Sequence, residues 1–206
     1  MLHYEQKMAM GGDEAIAEAG RFFMREDSVH QSLRRITARL TELQIPHAVV
    51  GGMALVAHGY DRTTVDVDIL VTKAGLTEAH ERLEGLGYQQ PFEGSTQLRD
   101  TRTGVRIEFL VTGGYPGDGK PKPVCFPNPS DVSVEIDGVR YIRLPDLVAL
   151  KLASGMTNPG RLRDLADVQE LIRNLKLDAH FAERLNPYVR DRFLELWRAL
   201  REDATD

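Results

Sequence analysis

Two aspartates separated by a single residue, Asp66 and Asp68, lie in the segment TVDVDILV. Polar and apolar residues alternate there as in a half-buried strand. A strand projects residues i and i+2 from one face, so Asp66 and Asp68 face together while Val65, Val67 and Ile69 face a core. Carboxylates placed so close repel by roughly 1 to 4 kcal/mol in water-like to surface-like dielectric. A hard divalent cation, Mg²⁺ or Mn²⁺, offsets that repulsion, and Mg²⁺ is commonly held by one or two carboxylates plus substrate phosphates. A third acid lies in VRIEFLV, where Val105, Ile107, Phe109 and Val111 form the apolar face and Arg106, Glu108 and Leu110 the other. If this strand neighbours the first, Asp66, Asp68 and Glu108 make a two-metal site for in-line phosphoryl or nucleotidyl transfer.

Gly51 and Gly52 follow one predicted strand and open a short helix. Backbone without Cβ lets phosphates approach closely, and N–H groups at a helix start favour anions. Arg62 directly precedes the aspartate strand, where it can pair with the acids or reach a triphosphate. Each feature alone has a plainer explanation: paired aspartates on a solvated face, a glycine turn, a glutamate on the wet side of a strand. Their order along the chain is what favours a site.

The spacing Gly51-Gly52, thirteen residues, Asp66-Val67-Asp68, with Glu108 on a later strand, resembles the signature of the polymerase-β-type nucleotidyltransferase superfamily. The wording GGMALVAHGYDRTTVDVDI is similar to the AbiEii-type and related small bacterial nucleotidyltransferases, some of which are toxins of toxin–antitoxin systems. Further along, LPDLVALKLASGMTNPGRLRDLADVQELI resembles their later motif of a lysine, an arginine and helical aspartates. The resemblance covers roughly residues 45 to 175. It implies an α+β fold, a mixed β-sheet core flanked by helices with a helical C-terminal segment. It implies transfer of a nucleoside monophosphate from an NTP to a hydroxyl of RNA, protein or a small molecule, with an antitoxin-like protein as a partner. Arg62 then belongs to the site, Lys151 binds phosphate rather than snorkelling at the surface, and Asp164 orients Lys151 or the nucleotide. The alternative is a catalytically degenerate member that binds nucleotide or a partner protein. A sugar-nucleotide glycosyltransferase is disfavoured, because its DxD follows a longer nucleotide-binding unit.

Bulk properties agree with this without deciding it. The 206 residues suit one domain or two small ones, and the net charge of −5 makes no global case for nucleic-acid binding. Cys125 is the only cysteine, which fits a cytoplasmic setting. No apolar run approaches the ~20 residues of a membrane span, and the N-terminus lacks a signal-peptide core.

Three parts are expected: N-terminal helices over 1–45, an α/β core over 46–144, and a helical segment over 145–206. Helices are predicted near Asp13–Glu26, Ser28–Leu43 with Asp27 or Ser28 as cap, and Leu76–Leu86. Asp137-Gly138 between two alternating runs signals a hairpin. In the tail, helices are expected near 145–155, 161–174, 178–185 and 188–202. The stretch Gly114–Lys120 has the outline of a phosphate-binding loop, but Pro121 stands where Ser or Thr must ligate Mg²⁺ and no helix follows. It is expected to be a loop only, with Lys120 and Lys122 at the cleft rim as the remaining functional option.

Overall fold

Local capping explains where the first helices begin and end. The computed structural model describes residues 3–202. Helix α1 spans Tyr4–Met10, α2 Asp13–Phe23 and α3 Ser28–Glu42. Asp27 is the cap of α3, its Oδ1 accepting from the Val29 N–H at 2.7 Å and the His30 N–H at 3.2 Å. Leu33, Ile36 and Leu40 recur at helical spacing and are buried.

The chain then enters the sheet. Strand β1 (His47–Val50) leads into the short helix α4 (Gly51–Ala57), and β2 (Asp66–Val71) carries the aspartates. Helix α5 runs Lys73–Leu83, three residues earlier than expected, because the Thr72 side chain caps it by accepting from the Gly75 N–H. Strands β3 (Tyr88–Gln89), β4 (Gln97–Asp100) and β5 (Arg106–Val111) follow. A single helical turn, α6 (Pro129–Val132), precedes the hairpin of β6 (Ser133–Ile136) and β7 (Val139–Ile142). Its turn is Asp137-Gly138, with φ of 51° and 76°, the left-handed pair that a two-residue hairpin requires.

Among the described residues, seven strands form one mixed sheet in the order β3-β4-β5-β2-β1-β7-β6. Strand β2 sits inside it, antiparallel to β1 and parallel to β5. Val67 and Ile69 of β2 and Ile107 and Phe109 of β5 are buried on the face opposite the acids. The fold is α+β, as expected.

The tail is helical. Helix α7 spans Leu144–Thr157, α8 Leu162–Asn174 and α9 Pro187–Glu202. Residues Ala179–Arg184, expected within a helix, form a 3₁₀ segment opened by Asp178. The buried apolar residues make one continuous cluster reaching from Tyr4 to Leu196. None of the described helices is long and apolar enough to cross a membrane.

Candidate active site

The parallel register of β2 and β5 sets the site. Asp68 lies opposite Glu108, and Asp66 opposite Arg106. All four side chains occupy the face left free by the buried valines and isoleucines. Asp66 is held from both sides: Thr64 Oγ1 donates to its Oδ1 at 2.9 Å, and Arg106 Nη2 to its Oδ2 at 2.5 Å.

Asp68 differs. Its carboxylate accepts no side-chain hydrogen bond among the described residues, and it is tucked against Gly51. A Cβ built on Gly51 would lie 1.8 Å from Asp68 Oδ2, and φ there is +61°. Burial, reinforced by the negative charges of Asp66 and Glu108, pushes the Asp68 carboxyl up to about 7, against the opposing charges of Lys151 and Arg106. Gly52 has a parallel task, since a Cβ there would lie 2.7 Å from Thr64 Oγ1. One glycine thus makes room for Asp68. The other makes room for the threonine that orients Asp66.

A second cluster lies on the helical tail. Lys151 of α7 is buried, and its Nζ donates to Asp164 Oδ1 at 2.9 Å and Asp167 Oδ2 at 2.8 Å. Ser154 Oγ donates to the other oxygen of Asp164 at 2.6 Å. Burial opposes ionisation of Asp164, but Lys151 and the Ser154 hydroxyl hold its carboxyl below the usual carboxylate range. Arg62 joins this cluster: its Nε is 3.2 Å from Asp167 Oδ1, yet out of line for a hydrogen bond.

The profile of a family described as uncharacterised nucleotidyltransferase matches residues 16–203. The chain belongs to this nucleotidyltransferase family. No curated protein matches it in sequence. Among solved structures it is similar to the crystal structure of ANT(2″)-Ia in complex with adenylyl-2″-tobramycin, at 15% identity and a TM-score of 0.51, covering 84% of this chain and 97% of that one. The solution structure of the antibiotic-resistance factor ANT(2″)-Ia matches at 16% identity and a TM-score of 0.51, covering 84% and 94%. JHP933 from Helicobacter pylori matches at 17% identity and a TM-score of 0.45, covering 82% and 78%. The two likenesses to ANT(2″)-Ia are of fold.

On this nucleotidyltransferase fold the expected site residues fall into two groups. Asp66, Asp68, Glu108, Gly51 and Gly52 come together on the sheet, and Lys151, Asp164 and Arg62 meet on the tail. The three acids share a face without sharing one coordination sphere, for among the described residues no three acids, histidines or cysteines are grouped to hold a metal. The engagement of Asp66 by Arg106 and Thr64 accounts for part of this. The donor set still suits a hard cation, because the half-buried Asp68 carboxylate, which accepts no side-chain hydrogen bond among the described residues, lies beside two further carboxylates.

Sequence reasoning gave no role to Thr64, Arg106 or Ser154, and counted Asp167 only among the helical aspartates of the later motif. The signals were present: Thr64 and Arg106 stand two residues before Asp66 and Glu108, hence on the same face, and Asp167 follows Asp164 by one helical turn. His58 and Lys122 make bonds to the protein itself. His58 Nε2 lies 2.7 Å from the Ile142 carbonyl. Lys122 is tied to Asp118 Oδ1 at 2.5 Å and the Pro116 carbonyl at 2.6 Å, while Lys120 is exposed. Gly117 packs on Ser154 and Thr157, so the glycine loop braces α7.

Proposed function

We propose that this protein transfers a nucleoside monophosphate from an NTP to a hydroxyl acceptor. The acceptor hydroxyl gives up its proton to water as its oxygen attacks the α-phosphorus, the bond to the β-phosphate oxygen breaks, and pyrophosphate leaves with that electron pair. The observation that carries the reading is the Asp68 carboxylate, seated on Gly51 beside Asp66 and in register with Glu108. Asp66, Asp68 and Glu108 would hold Mg²⁺ or Mn²⁺, whose chemistry is to neutralise the triphosphate and acidify the attacking hydroxyl. The Gly51-Gly52 backbone would face the phosphates. Arg62 and Lys151 would offset charge developing on the leaving pyrophosphate, with Asp164 fixing the Lys151 ammonium.

The hydroxyl belongs to RNA, a protein side chain or a small molecule, the last class supported by the adenylyl-tobramycin in the ANT(2″)-Ia structure. A cytoplasmic toxin role with an antitoxin-like partner rests on the sequence resemblance alone, and growth arrest on expression tests it. The main test incubates the protein with each labelled NTP, Mg²⁺ and separated cellular RNA, protein and small-molecule fractions. Label should enter one fraction with wild type and none with Asp68→Ala. Nucleotide binding without transfer from any NTP to any fraction would favour the degenerate alternative.

A further inference from the structure

Arg106 lies in the site without a place in the reaction just described. Its Nη2 is bound to Asp66 Oδ2 at 2.5 Å, and its Nε is buried with no hydrogen-bond partner among the described residues. The two side chains remain 32% and 20% exposed, so the pair is open to the cleft. Arg99, in register with Arg106 on the neighbouring strand, makes a telling contrast. Its guanidinium is held by both carboxylate oxygens of Glu5, at 3.1 and 2.9 Å, and by the Gly104 carbonyl at 2.6 Å. Arg99 is a structural arginine. Arg106 spends one donor on a carboxylate and keeps the rest of its fork in reserve.

We infer that Arg106 is an internal counter-ion, which occupies Asp66 until a triphosphate draws the guanidinium away and frees the carboxylate for metal. The inference rests on the nucleotidyltransferase reading above and adds an order of events to it. A guanidinium and a divalent cation repel one another and compete for the same carboxylate. A phosphate offers the planar fork a better match than one carboxylate oxygen does. Metal alone therefore meets a site closed by its own cation, whereas nucleotide both brings phosphate ligands and removes the competitor. Binding of the two is coupled, and Arg106 carries part of the coupling.

The test is a Mn²⁺ titration of the full chain by electron paramagnetic resonance, with and without the α,β-methylene analogues of the four NTPs. Wild type should bind Mn²⁺ alone weakly. Arg106→Gln should bind it about tenfold more tightly, within the range of ordinary coupling between sites, and should gain less from nucleotide. Arg99→Gln removes the same charge one strand away and should leave Mn²⁺ affinity near wild type. Equal Mn²⁺ affinity in wild type and Arg106→Gln overturns the inference but not the nucleotidyltransferase reading. An Arg99→Gln effect as large as that of Arg106→Gln also overturns it, since net charge would then suffice. No Mn²⁺ binding by either protein, with or without nucleotide, counts against the underlying reading instead. Should Arg106→Gln fail to fold, Arg106→Lys keeps the charge but loses the fork, and undiminished nucleotide–Mn²⁺ coupling in that variant overturns the inference.

Discussion

The acid face of β2 and β5 and the charged cluster of α7 and α8 contain similar residues in opposite states. On the helices, one buried ammonium lies between two carboxylates, with Ser154 donating to Asp164 and the Arg62 guanidinium 3.2 Å from Asp167. Its charges are balanced within the protein. On the sheet, three carboxylates face one arginine, and Asp68 is pushed up to about 7 by burial and by its acidic neighbours. Its charges are not balanced. An internally compensated cluster stabilises a fold and holds its members still. An uncompensated one waits for a ligand that brings the missing charge.

Removing the central residue of each cluster should therefore give opposite phenotypes. Asp68→Ala should lower transfer by at least about a thousandfold, the upper range for removing one preorganised electrostatic group, while thermal unfolding shows an intact fold. Lys151→Ala should act on stability first, costing about 3 kcal/mol in urea denaturation, because the buried Asp167 and the half-buried Asp164 lose their shared ammonium, and should lower transfer less than Asp68→Ala does. If Lys151→Ala is as stable as wild type, the helical cluster is not the internally balanced unit described above.

The paired glycines sharpen the contrast at a smaller scale. Gly51→Ala needs a left-handed conformation and drives a Cβ into Asp68, so activity should fall on the order of a hundredfold, as for about 1 Å of misplacement. Gly52→Ala presses only on the Thr64 side chain, which can rotate, and should cost less. Equal losses would mean that close approach to Asp68 is not the special constraint at Gly51.

pH should separate the two regions by sign. The Asp68 carboxyl is raised in the folded state, so the folded chain binds more protons than the unfolded one between about 4, the ordinary value, and about 7. Metal-free stability should fall as pH rises across that window. Asp68→Asn should remove the slope, and Mg²⁺ with a non-hydrolysable NTP should raise the melting temperature of wild type at pH 8. The Asp164 carboxyl is depressed, so its contribution is present above the ordinary carboxylate value and lost as pH falls through the lower, folded one. Asp164→Asn should flatten that acid limb alone. The smallest effect is expected at Lys120→Ala, which should change NTP affinity by less than about tenfold, or 1.4 kcal/mol.

Elements whose period is carried by many residues were legible from sequence, as with α3, the alternating strands β2 and β5, and the Asp137-Gly138 hairpin. Elements with few residues or weak alternation were not. Helices α1 and α6 and strand β4 have no run long enough to announce themselves, and the Asp178 turn tightened an expected helix into a 3₁₀ segment. The start of α5 moved because a threonine cap outweighed the apolar pattern.

The same division runs through the site. That Asp66 faces with Asp68, and Glu108 with Arg106, follows from the two-residue period of a strand, which is a local property of the backbone. That Glu108 meets Asp68 while Arg106 meets Asp66 was decided by the parallel register of strands 40 residues apart. A one-residue slip would have turned every one of those side chains to the other face. Burial of Lys151 between Asp164 and Asp167 likewise required α7 to pack on α8, since one helix's sequence does not specify what covers it. Spacing along the chain fixed which groups point together, because periodicity is local. Which charges are neutralised and which are left waiting depended on long-range pairing, and only the tertiary structure decides that.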